Sequence, residues 1–322
     1  MSWSVYILRC ADDTLYTGVA RDLTRRLAEH NAGRGAKYTR TRRPVVVAWS
    51  EPAHDRSVAQ KREWELKQLP RAAKLRLLRT KAPAADEFRG LPGAAFTFLR
   101  QLRRHNRRDW FEEHRETYDA ALRAPLQALA DAMDVRLAGF APELVGDPKR
   151  SLFRIHRDVR FSRDKSPYKT HAALWFYHRD AGRGVGHDAH GGAGFYLHVE
   201  PGECRAGGGI WMPPRPSLQR IREALTEDTA AFAGILRAPA FRRTFGPLND
   251  EGILQRLPRG FAADDPAGPW LRYPSFFSST AIPDAAFARA DLPALLERRY
   301  RTMLPLVRWL NAAIGFPAAE RR

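Results

Sequence analysis

Short apolar runs near the start of the chain predict a small antiparallel sheet. Val5–Leu8 and Leu15–Val19 lie on either side of the pair Asp12-Asp13, a combination that favours a hairpin. A third apolar run, Val45–Trp49, predicts a third and well-buried strand. These runs are short enough to belong to one compact sheet.

Two amphipathic stretches around these strands predict helices. Asp22 is a good N-cap for a helix that runs through His30. A second helix is expected to begin at Asp55 or Ser57 and to end at about Leu69. The front of the chain is therefore predicted to be a three-stranded antiparallel sheet with flanking helices.

The rest of the chain changes from helical spacing to strand-like runs and back. Residues 93–138 carry apolar positions at helical spacing, 151–213 contain strand-like runs, and 215–240 and 293–314 return to helical spacing. Helices followed by strands and then helices are typical of an α+β domain rather than a doubly wound one. The predicted fold class is α+β, with a small sheet domain followed by a larger, separate α+β domain.

A short segment between these parts interrupts the apolar periodicity. Residues 81–92 are rich in small residues and contain Pro83 and Pro92. Because 322 residues exceed the usual size of one domain, this segment is predicted to be a linker. The predicted domains are 1–80 and 93–316.

The charge of the chain is strongly positive and unevenly distributed. The formal net charge is +18, and residues 1–80 hold 17 Lys or Arg against 8 Asp or Glu. Such an excess favours polyanionic partners, nucleic acid before an anionic membrane surface. Because no apolar run is long enough to cross a membrane and two cysteines cannot form a disulfide framework, a cytoplasmic protein is expected.

Five polar residues in the first domain suit the hydrolysis of a phosphodiester. Tyr6 and Tyr16 fall on neighbouring predicted strands, where their phenols can converge. Arg26 and His30 are four residues apart on one helix and share a face, and Glu63 lies in the next helix. One carboxylate can hold a divalent cation together with substrate oxygens and water, and an Arg fork neutralises phosphate charge.

The front of the chain resembles the GIY-YIG nuclease module, and in particular its small bacterial single-domain branch. The likeness covers roughly residues 3–78. The matching segments, in order, are Val5-Tyr6-Ile7, Tyr16-Thr17-Gly18, Arg26-Leu27-Ala28-Glu29-His30-Asn31, Lys37-Tyr38-Thr39-Arg40 ahead of Arg43-Pro44, and Glu63. Ser4 and Thr17 depart from the family pattern but leave both tyrosines in place.

The resemblance implies roles for the five residues. Glu63 would be the ligand of one Mg²⁺ or Mn²⁺, and Arg26 would stabilise the phosphoryl transition state. Tyr6 would either orient the attacking water or deprotonate it. Both roles stay open, because a free phenol has a pKa of about 10 and is rarely ionised at neutral pH. Tyr16 and His30 would support the proton transfers.

The nucleic-acid-binding residues are expected to contact backbone phosphates, because no base-specific pattern accompanies them. DNA is favoured over RNA as the partner. The residues are Lys37, Tyr38, Arg40, Arg42, Arg43, Lys67, Arg71 and Lys74.

A second candidate site comes from a predicted strand over 152–161, whose odd positions are mostly apolar and whose even positions are polar. A solvated sheet face explains such alternation most simply, and a concave site for an anionic ligand is the alternative. A charged turn follows this strand, and a second alternating run covers 194–200. The candidate residues are Arg154, His156, Asp158, Arg160, Lys165, Lys169 and His198.

Other features of the second domain carry weaker signals. His187, Asp188 and His190, taken with His178 and His198, suggest a metal site, but the surrounding glycines favour a polar loop. The run Gly207-Gly208-Gly209 lacks the lysine and the context of a phosphate-binding loop.

The second domain also resembles a known family, the uncharacterised bacterial domain of unknown function 2461. The likeness covers roughly residues 88–314. It is carried by Leu152–Asp158, Arg160–His171, Gly194–Pro201 and Gly209–Pro213. The family implies no activity.

Three functions follow from these observations. The first is a metal-dependent endonuclease that cuts branched, single-stranded or damaged DNA, in repair or recombination. The second is a nucleic-acid-binding adaptor that keeps the nuclease fold without cutting. The third is a protein whose main activity lies in the second domain.

Overall fold

The computed structural model describes residues 3–53, 55–79, 88–160, 162–182, 184, 191–316 and 318. The described residues before 80 form one compact unit and those from 88 onward form another. We call these the amino-terminal unit and the larger unit. Within the described residues, no helix is long and apolar enough to span a membrane.

The amino-terminal unit is a three-stranded antiparallel sheet with helices, as the sequence predicts. The strand order is β2-β1-β3. The elements in chain order are β1 (Trp3–Arg9), β2 (Leu15–Ala20), α1 (Leu23–Asn31), α2 (Lys37–Arg40), β3 (Val46–Ala53), α3 (Arg56–Gln68) and α4 (Arg71–Arg79).

The helix starts follow the capping residues in the sequence. The Asp22 side chain accepts a hydrogen bond from the Arg25 amide at 2.9 Å, which starts α1. Asp55, rather than Ser57, caps α3, since its carboxylate accepts from the Val58 amide at 2.8 Å.

The third strand is not the well-buried strand that its apolar run predicts. β1 lies in the middle of the sheet, and Val5 and Ile7 on it are fully buried. β3 pairs only with β1, and Val46 at its start is 57% exposed. An apolar run reports hydrophobicity but not position in a sheet, so an edge strand can resemble a central one.

The larger unit is an α+β fold built on a five-stranded antiparallel sheet of order β4-β5-β6-β7-β8. Its strands are β4 (Leu144–Val145), β5 (Ala172–His178), β6 (Gly194–Val199), β7 (Arg205–Ile210) and β8 (Phe276–Ala281). Its helices are α5 (Gly93–Arg104), α6 (Arg108–Glu113), α7 (Arg115–Thr117), a π-helical segment (Tyr118–Arg123), α8 (Ala124–Phe140), α9 (Arg215–Glu227), α10 (Thr229–Arg237), α11 (Pro239–Phe245), α12 (Gly268–Leu271), α13 (Asp284–Phe287) and α14 (Leu292–Ala313).

One face of this sheet forms the core of the larger unit. Leu174 on β5 and Phe195 on β6 are fully buried there. The long helix α14 packs against β7 and β6, and the Tyr300 ring stacks on Phe195 with centroids 4.5 Å apart. The Tyr300 hydroxyl donates a hydrogen bond to the Tyr196 carbonyl at 3.1 Å. On the opposite face the side chains of β5 are also buried, but Tyr196 and His198 on β6 are only partly buried.

The strand predicted over 152–161 is wrong as a regular strand. The described part of this segment makes two isolated bridges, Leu152 with Leu174 and His156 with Tyr168. Three residues lie between Leu152 and His156, but five lie between Tyr168 and Leu174, so two extra residues interrupt the ladder. From Phe153 to Arg160 the even positions are still exposed, and the odd positions are buried or partly buried. Phe161 lies outside the described residues.

The structure differs from the sequence reading at two further places. Phe88 and Leu91 fall in the predicted linker 81–92, yet both are buried in the core of the larger unit, and residues 81–87 lie outside the described part. β8 has no counterpart in the sequence reading, because Phe276–Ala281 contains Ser-Ser-Thr where an alternating strand would show apolar residues.

Candidate active site

The Tyr6 phenol is the centre of the polar cluster in the amino-terminal unit. Tyr6 lies on the central strand β1, is 1% exposed, and places its hydroxyl 3.2 Å from His30 Nε2. It pairs across β2 with Gly18, and a Cβ at Gly18 would lie 2.6 Å from the phenol oxygen. A glycine is therefore needed opposite Tyr6 for the ring to lie flat over the strand.

We expect Gly18→Ala to destabilise the amino-terminal unit. The new methyl group would overlap the buried Tyr6 ring, and overpacking of this kind costs about 1–3 kcal/mol. Chemical denaturation of the full chain measures the loss. Gly139→Ala in α8 is the control, because beyond its own helix nothing lies within 4 Å of its Cβ position and the alanine should be neutral or slightly stabilising there. Equal stability of the two variants would contradict the close approach of Tyr6 to this strand.

The hydrogen bonds around His30 define which of its nitrogens carries the proton. His30 is fully buried, and its Nδ1 lies 2.7 Å from the Thr39 hydroxyl oxygen. That hydroxyl donates its only proton to the Ala36 carbonyl at 2.9 Å. His30 Nδ1 must therefore be the donor to Thr39, which leaves Nε2 to accept from the Tyr6 hydroxyl.

Burial keeps this pair neutral. The pKa of Tyr6 is raised, chiefly because burial penalises the phenolate, although the nearby Arg26 guanidinium lowers it. Tyr16 and Glu63 add to the rise of the Tyr6 pKa. The pKa of His30 is lowered, first by burial and then by Arg26. Both groups are thus uncharged at neutral pH, with the proton on Tyr6.

Arg26 and Glu63 place charges of opposite sign beside this pair. The Arg26 Nη1 lies 2.8 Å from Glu29, and this contact is the first cause of the raised pKa of Arg26. The Glu63 side chain on α3 is 19% exposed and lies 2.8 Å from the Lys67 ammonium. The other four predicted residues, Tyr16, Arg26, His30 and Glu63, therefore all act on the Tyr6 phenol.

Glu63 suits a hard divalent cation. Among the described residues it belongs to no cluster of three His, Cys, Asp or Glu ligand atoms. A single accessible carboxylate fits Mg²⁺ or Mn²⁺, which keep most of their waters and take further oxygens from a phosphate. Lys67 would have to release the carboxylate for such an ion to bind.

Tyr16 forms a wall of this site with a neighbour from α2. Its ring centroid lies 5.3 Å from that of His30, and the Tyr38 ring stacks on it at 6.1 Å. The Arg42 guanidinium covers Tyr38 at 4.3 Å from the ring centroid. Tyr38 remains 41% exposed, so an aromatic surface faces solvent next to the buried pair.

Most of the predicted nucleic-acid-binding residues already form a hydrogen bond, an ion pair or a cation–π contact with another residue of the chain. This holds for Tyr38, Arg42, Arg43, Lys67, Arg71 and Lys74. The Arg42 Nε, for example, lies 3.0 Å from Asp12. Lys37 and Arg40 are exposed, and within the described part of the chain their side chains have no hydrogen-bond or ion-pair partner. These two are the residues best placed to meet a phosphate.

Sequence reasoning missed the residues that support His30. Thr39 belongs to the family-like stretch 37–40 but has no assigned role there, and only the fold brings it to His30 Nδ1. Gly35 allows this, since a Cβ at that position would lie 2.4 Å from the same nitrogen. Arg34, next to it, is a further exposed cation whose side chain has no hydrogen-bond or ion-pair partner among the described residues.

In the larger unit, the structure brings only His198 of the predicted residues into a cluster. Its Nε2 lies 3.0 Å from Glu200 Oε2, and its Nδ1 lies 3.1 Å from the Tyr196 hydroxyl. The His171 ring is 4.5 Å away, centroid to centroid. Burial, followed by the charge of His198, lowers the pKa of His171 to about 4, so its imidazole is neutral at pH 7.

Several other residues predicted for this second site are engaged locally. Arg160 binds Asp158 at 2.6 Å, and this hydrogen bond lowers the pKa of Asp158 to about 2. Lys165 donates to the Val159 carbonyl at 3.0 Å. The others lie nearby on the same segment: Arg154, whose charge also acts on Asp158, His156 against Tyr168, and Lys169 over the Phe153 ring.

The structure tests only part of the weaker signals of the larger unit. The glycines 207–209 lie inside strand β7, which excludes a phosphate-binding loop there. Burial raises the pKa of Cys204 to about 12, so its thiol is a poor nucleophile. His187, Asp188 and His190 lie outside the described residues, and His178 is 1% exposed.

The sheet order and the Tyr6 cluster define a class of protein. Residues 2–76 match the family model described as the GIY-YIG catalytic domain, a family whose members are generally divalent-metal-dependent endonucleases. Residues 94–309, about two thirds of the chain, match the conserved hypothetical protein model DUF2461. The chain therefore belongs to the DUF2461 family and carries a GIY-YIG domain in front, which indicates a nuclease-type function and binding of nucleic acid.

Similar proteins share the amino-terminal unit. A UPF0213 protein of Desulfotalea psychrophila is 49% identical over 79 residues, which are 24% of this chain and 72% of that protein. A UPF0213 protein of Natronomonas pharaonis is 54% identical over 74 residues, 23% of this chain and 87% of the relative. The solution NMR structure of the UPF0213 protein BH0048 from Bacillus halodurans has 38% identity, covers 26% of this chain and 89% of that one, and gives a TM-score of 0.19.

Proposed function

We propose that this protein is a structure-selective endonuclease that hydrolyses DNA phosphodiester bonds with Mg²⁺ or Mn²⁺. The observation that carries the proposal is the Tyr6 phenol, hydrogen-bonded to a neutral imidazole and flanked by Arg26 and Glu63. We further propose that the functional domains are residues 1–80 and 93–316. Two free, buried cysteines suit a reducing cytoplasm.

Tyr6 suits the role of general base better than that of a water-orienting donor. Its only proton is directed to His30 Nε2, so the phenol cannot donate to water while that bond stands. Its oxygen can accept a proton from water as its own proton passes to His30. Because burial makes Tyr6 a weaker acid and His30 a weaker base, the pair is neutral in the free protein.

Arg26 and Glu63 would handle the charge of the phosphate. A divalent cation, when held by the Glu63 carboxylate, would supply positive charge to the phosphate oxygens. The Arg26 guanidinium is 34% exposed, so it can reach the substrate while it keeps its contact with Glu29. Fixed cations aimed at developing negative charge stabilise the transition state of phosphoryl transfer.

The surface beside the cluster suits DNA with unpaired bases. The Tyr38 ring is 41% exposed, and an unpaired base could stack on it in place of the Arg42 guanidinium that now covers it. Stacking of this kind is open only to bases outside a duplex. Lys37 and Arg40 lie on the same short helix and can bind the backbone on either side. This combination favours junctions, flaps and single strands over regular duplexes.

The double variant Lys37→Ala/Arg40→Ala should weaken DNA binding in a salt-dependent way. Each lost phosphate contact removes about one unit from the slope of log K against log salt concentration, so the slope should fall by about 1–2. Fluorescence anisotropy with a labelled flap, over a range of salt, measures the slope. Arg103→Ala/Arg104→Ala in the larger unit is the matched control. An unchanged salt dependence in Lys37→Ala/Arg40→Ala would mean that DNA phosphates do not contact Lys37 and Arg40.

Cleavage itself is tested with the purified full chain and a panel of DNA structures. Flaps, bubbles, single strands and regular duplexes are incubated with Mg²⁺, Mn²⁺ or EDTA, and the products are separated on denaturing gels. We expect metal-dependent nicks near unpaired bases. Salt-sensitive binding without cleavage in any divalent metal would instead make this a DNA-binding adaptor.

A further inference from the structure

We propose that His171, His198 and Glu200 of the larger unit form a second metal site, which takes a divalent transition-metal ion such as Zn²⁺. These residues lie outside the GIY-YIG domain, and neither the family description nor the relatives assign them a role. The proposal is independent of the endonuclease activity.

The sheet register places the three side chains on one face. Ala173 of β5 lies opposite His198 of β6, so the position of His171 falls opposite that of Glu200. Directly opposed residues in an antiparallel pair share a face, as do residues two apart on one strand. All three side chains therefore lie on the face opposite the core of the larger unit, and all are partly exposed.

The ligand atoms are already gathered at a distance that a metal can bridge. One nitrogen of each histidine and one oxygen of Glu200 lie within 4.8 Å of one another. The His198 Nε2 and the Glu200 oxygen are 3.0 Å apart, close to the separation of about 3.3 Å expected for two ligands of a tetrahedral zinc ion. A metal ion would replace the proton that this pair now shares.

His171 has no structural task within the described part of the chain. Neither of its ring nitrogens makes a hydrogen bond there, although the ring is mostly buried against His198. A neutral imidazole without a protein hydrogen-bond partner is an available ligand. This observation separates the cluster from a simple His–Glu hydrogen bond.

The other two ligands are held in place by hydrogen bonds behind them. The Tyr196 hydroxyl lies 3.1 Å from His198 Nδ1, which leaves Nε2 facing Glu200. Thr170 donates to the second oxygen of Glu200 at 3.5 Å. Supporting contacts of this kind orient metal ligands and raise their affinity. Lys169, whose charge would oppose a cation, lies with its ammonium over the Phe153 ring.

The chemistry of the ligands selects the class of metal. Two imidazoles and one carboxylate suit Zn²⁺, Fe²⁺ and other transition metals, whereas Mg²⁺ and Ca²⁺ prefer oxygen ligands alone. Three protein ligands leave at least one coordination position for water or another molecule, as in catalytic rather than structural zinc sites. The site is therefore suited to binding or activating a small ligand on the sheet.

Zinc titration of the full chain tests the proposal. Isothermal titration calorimetry is carried out with Zn²⁺ on the Glu63→Gln variant, so that the proposed nuclease metal site does not contribute. We expect one equivalent of Zn²⁺ to bind, with no competition from millimolar Mg²⁺. His171→Ala should reduce the affinity at least about 100-fold, the upper range for weakened supporting contacts. His156→Ala, an exposed histidine outside the cluster, should leave it unchanged.

The variants separate binding from folding. Because His171 holds no hydrogen bond among the described residues, His171→Ala loses only the packing of its ring, and its unfolding transition in EDTA should remain cooperative, with a modestly lower denaturant midpoint than the parent chain. Glu200→Gln keeps the shape and a hydrogen-bond acceptor for His198 but loses the charge, and should also weaken zinc binding. The proposal would be overturned if the parent bound no zinc, or if His171→Ala and Glu200→Gln bound zinc as tightly as the parent. Either result leaves the endonuclease assay unaffected.

Discussion

Glu63→Gln should stop DNA cleavage in Mg²⁺ while it leaves DNA affinity nearly unchanged. The amide keeps the size of the side chain and its place on α3, but it lacks the charge that would hold the cation. We expect a loss of about 10³-fold in kcat, the upper range for removal of one group that stabilises charge in a transition state. The loss is measured by single-turnover cleavage of a flap substrate, alongside anisotropy for binding.

A second glutamate on the same helix provides the control for this variant. Glu65 lies 3.1 Å from Arg62, at the surface of α3. Glu65→Gln changes the net charge by the same amount but removes no group near Tyr6. Because exposed ion pairs contribute little energy, the cleavage rate should stay within about twofold of the parent rate. Full cleavage by Glu63→Gln would remove this carboxylate from the mechanism.

Tyr6→Phe should lower kcat by about 10²–10⁴-fold, the usual contribution of a positioned general base. Phenylalanine keeps the buried ring against Gly18 and removes only the oxygen. The pH profile of kcat adds a second readout. Since the pKa of His30 is lowered, the imidazole accepts a proton over the whole neutral range, and the acidic fall of the parent should lie below pH of about 6.5.

Tyr38→Phe is the matched control for the tyrosine variant. It removes an exposed hydroxyl and keeps the stacked ring, so kcat should stay near the parent value. A Tyr6→Phe variant that cleaves at the parental rate would assign the activation of water to another group. A variant that is slow but retains the parental pH profile would instead indicate a positioning role for the phenol.

Local signals in the sequence were sufficient for most of the amino-terminal unit. Asp22 and Asp55 start helices because their side chains accept backbone hydrogen bonds three residues on, an interaction that needs no tertiary structure. The spacing of Arg26 and His30 likewise follows from helix geometry alone. The strand order could not be predicted in this way, because burial of β1 on both sides depends on the packing of distant helices.

Contacts between distant segments account for what the sequence did not reveal. Thr39 lies on the short helix α2, which is brought to His30 by a preceding turn that requires Gly35, and a single threonine carries no signal of that contact. His171 precedes a strand, and only the register of β5 with β6 brings it to His198. The interrupted ladder over 152–160 was equally hidden, since alternation of side chains persists where strand pairing fails.

The anchoring of α14 to β6 has a consequence for the proposed zinc site. Tyr300 fixes the backbone of Tyr196 through its hydroxyl, and its ring is clamped on Phe195, so the strand that carries His198 cannot slide or twist independently of a 22-residue helix. Because this strand is already held in place, the protein should lose little conformational entropy when a metal ion binds. Tyr300→Phe removes the hydrogen bond to the Tyr196 carbonyl and should therefore lower the zinc affinity, although it changes none of the metal-coordinating atoms.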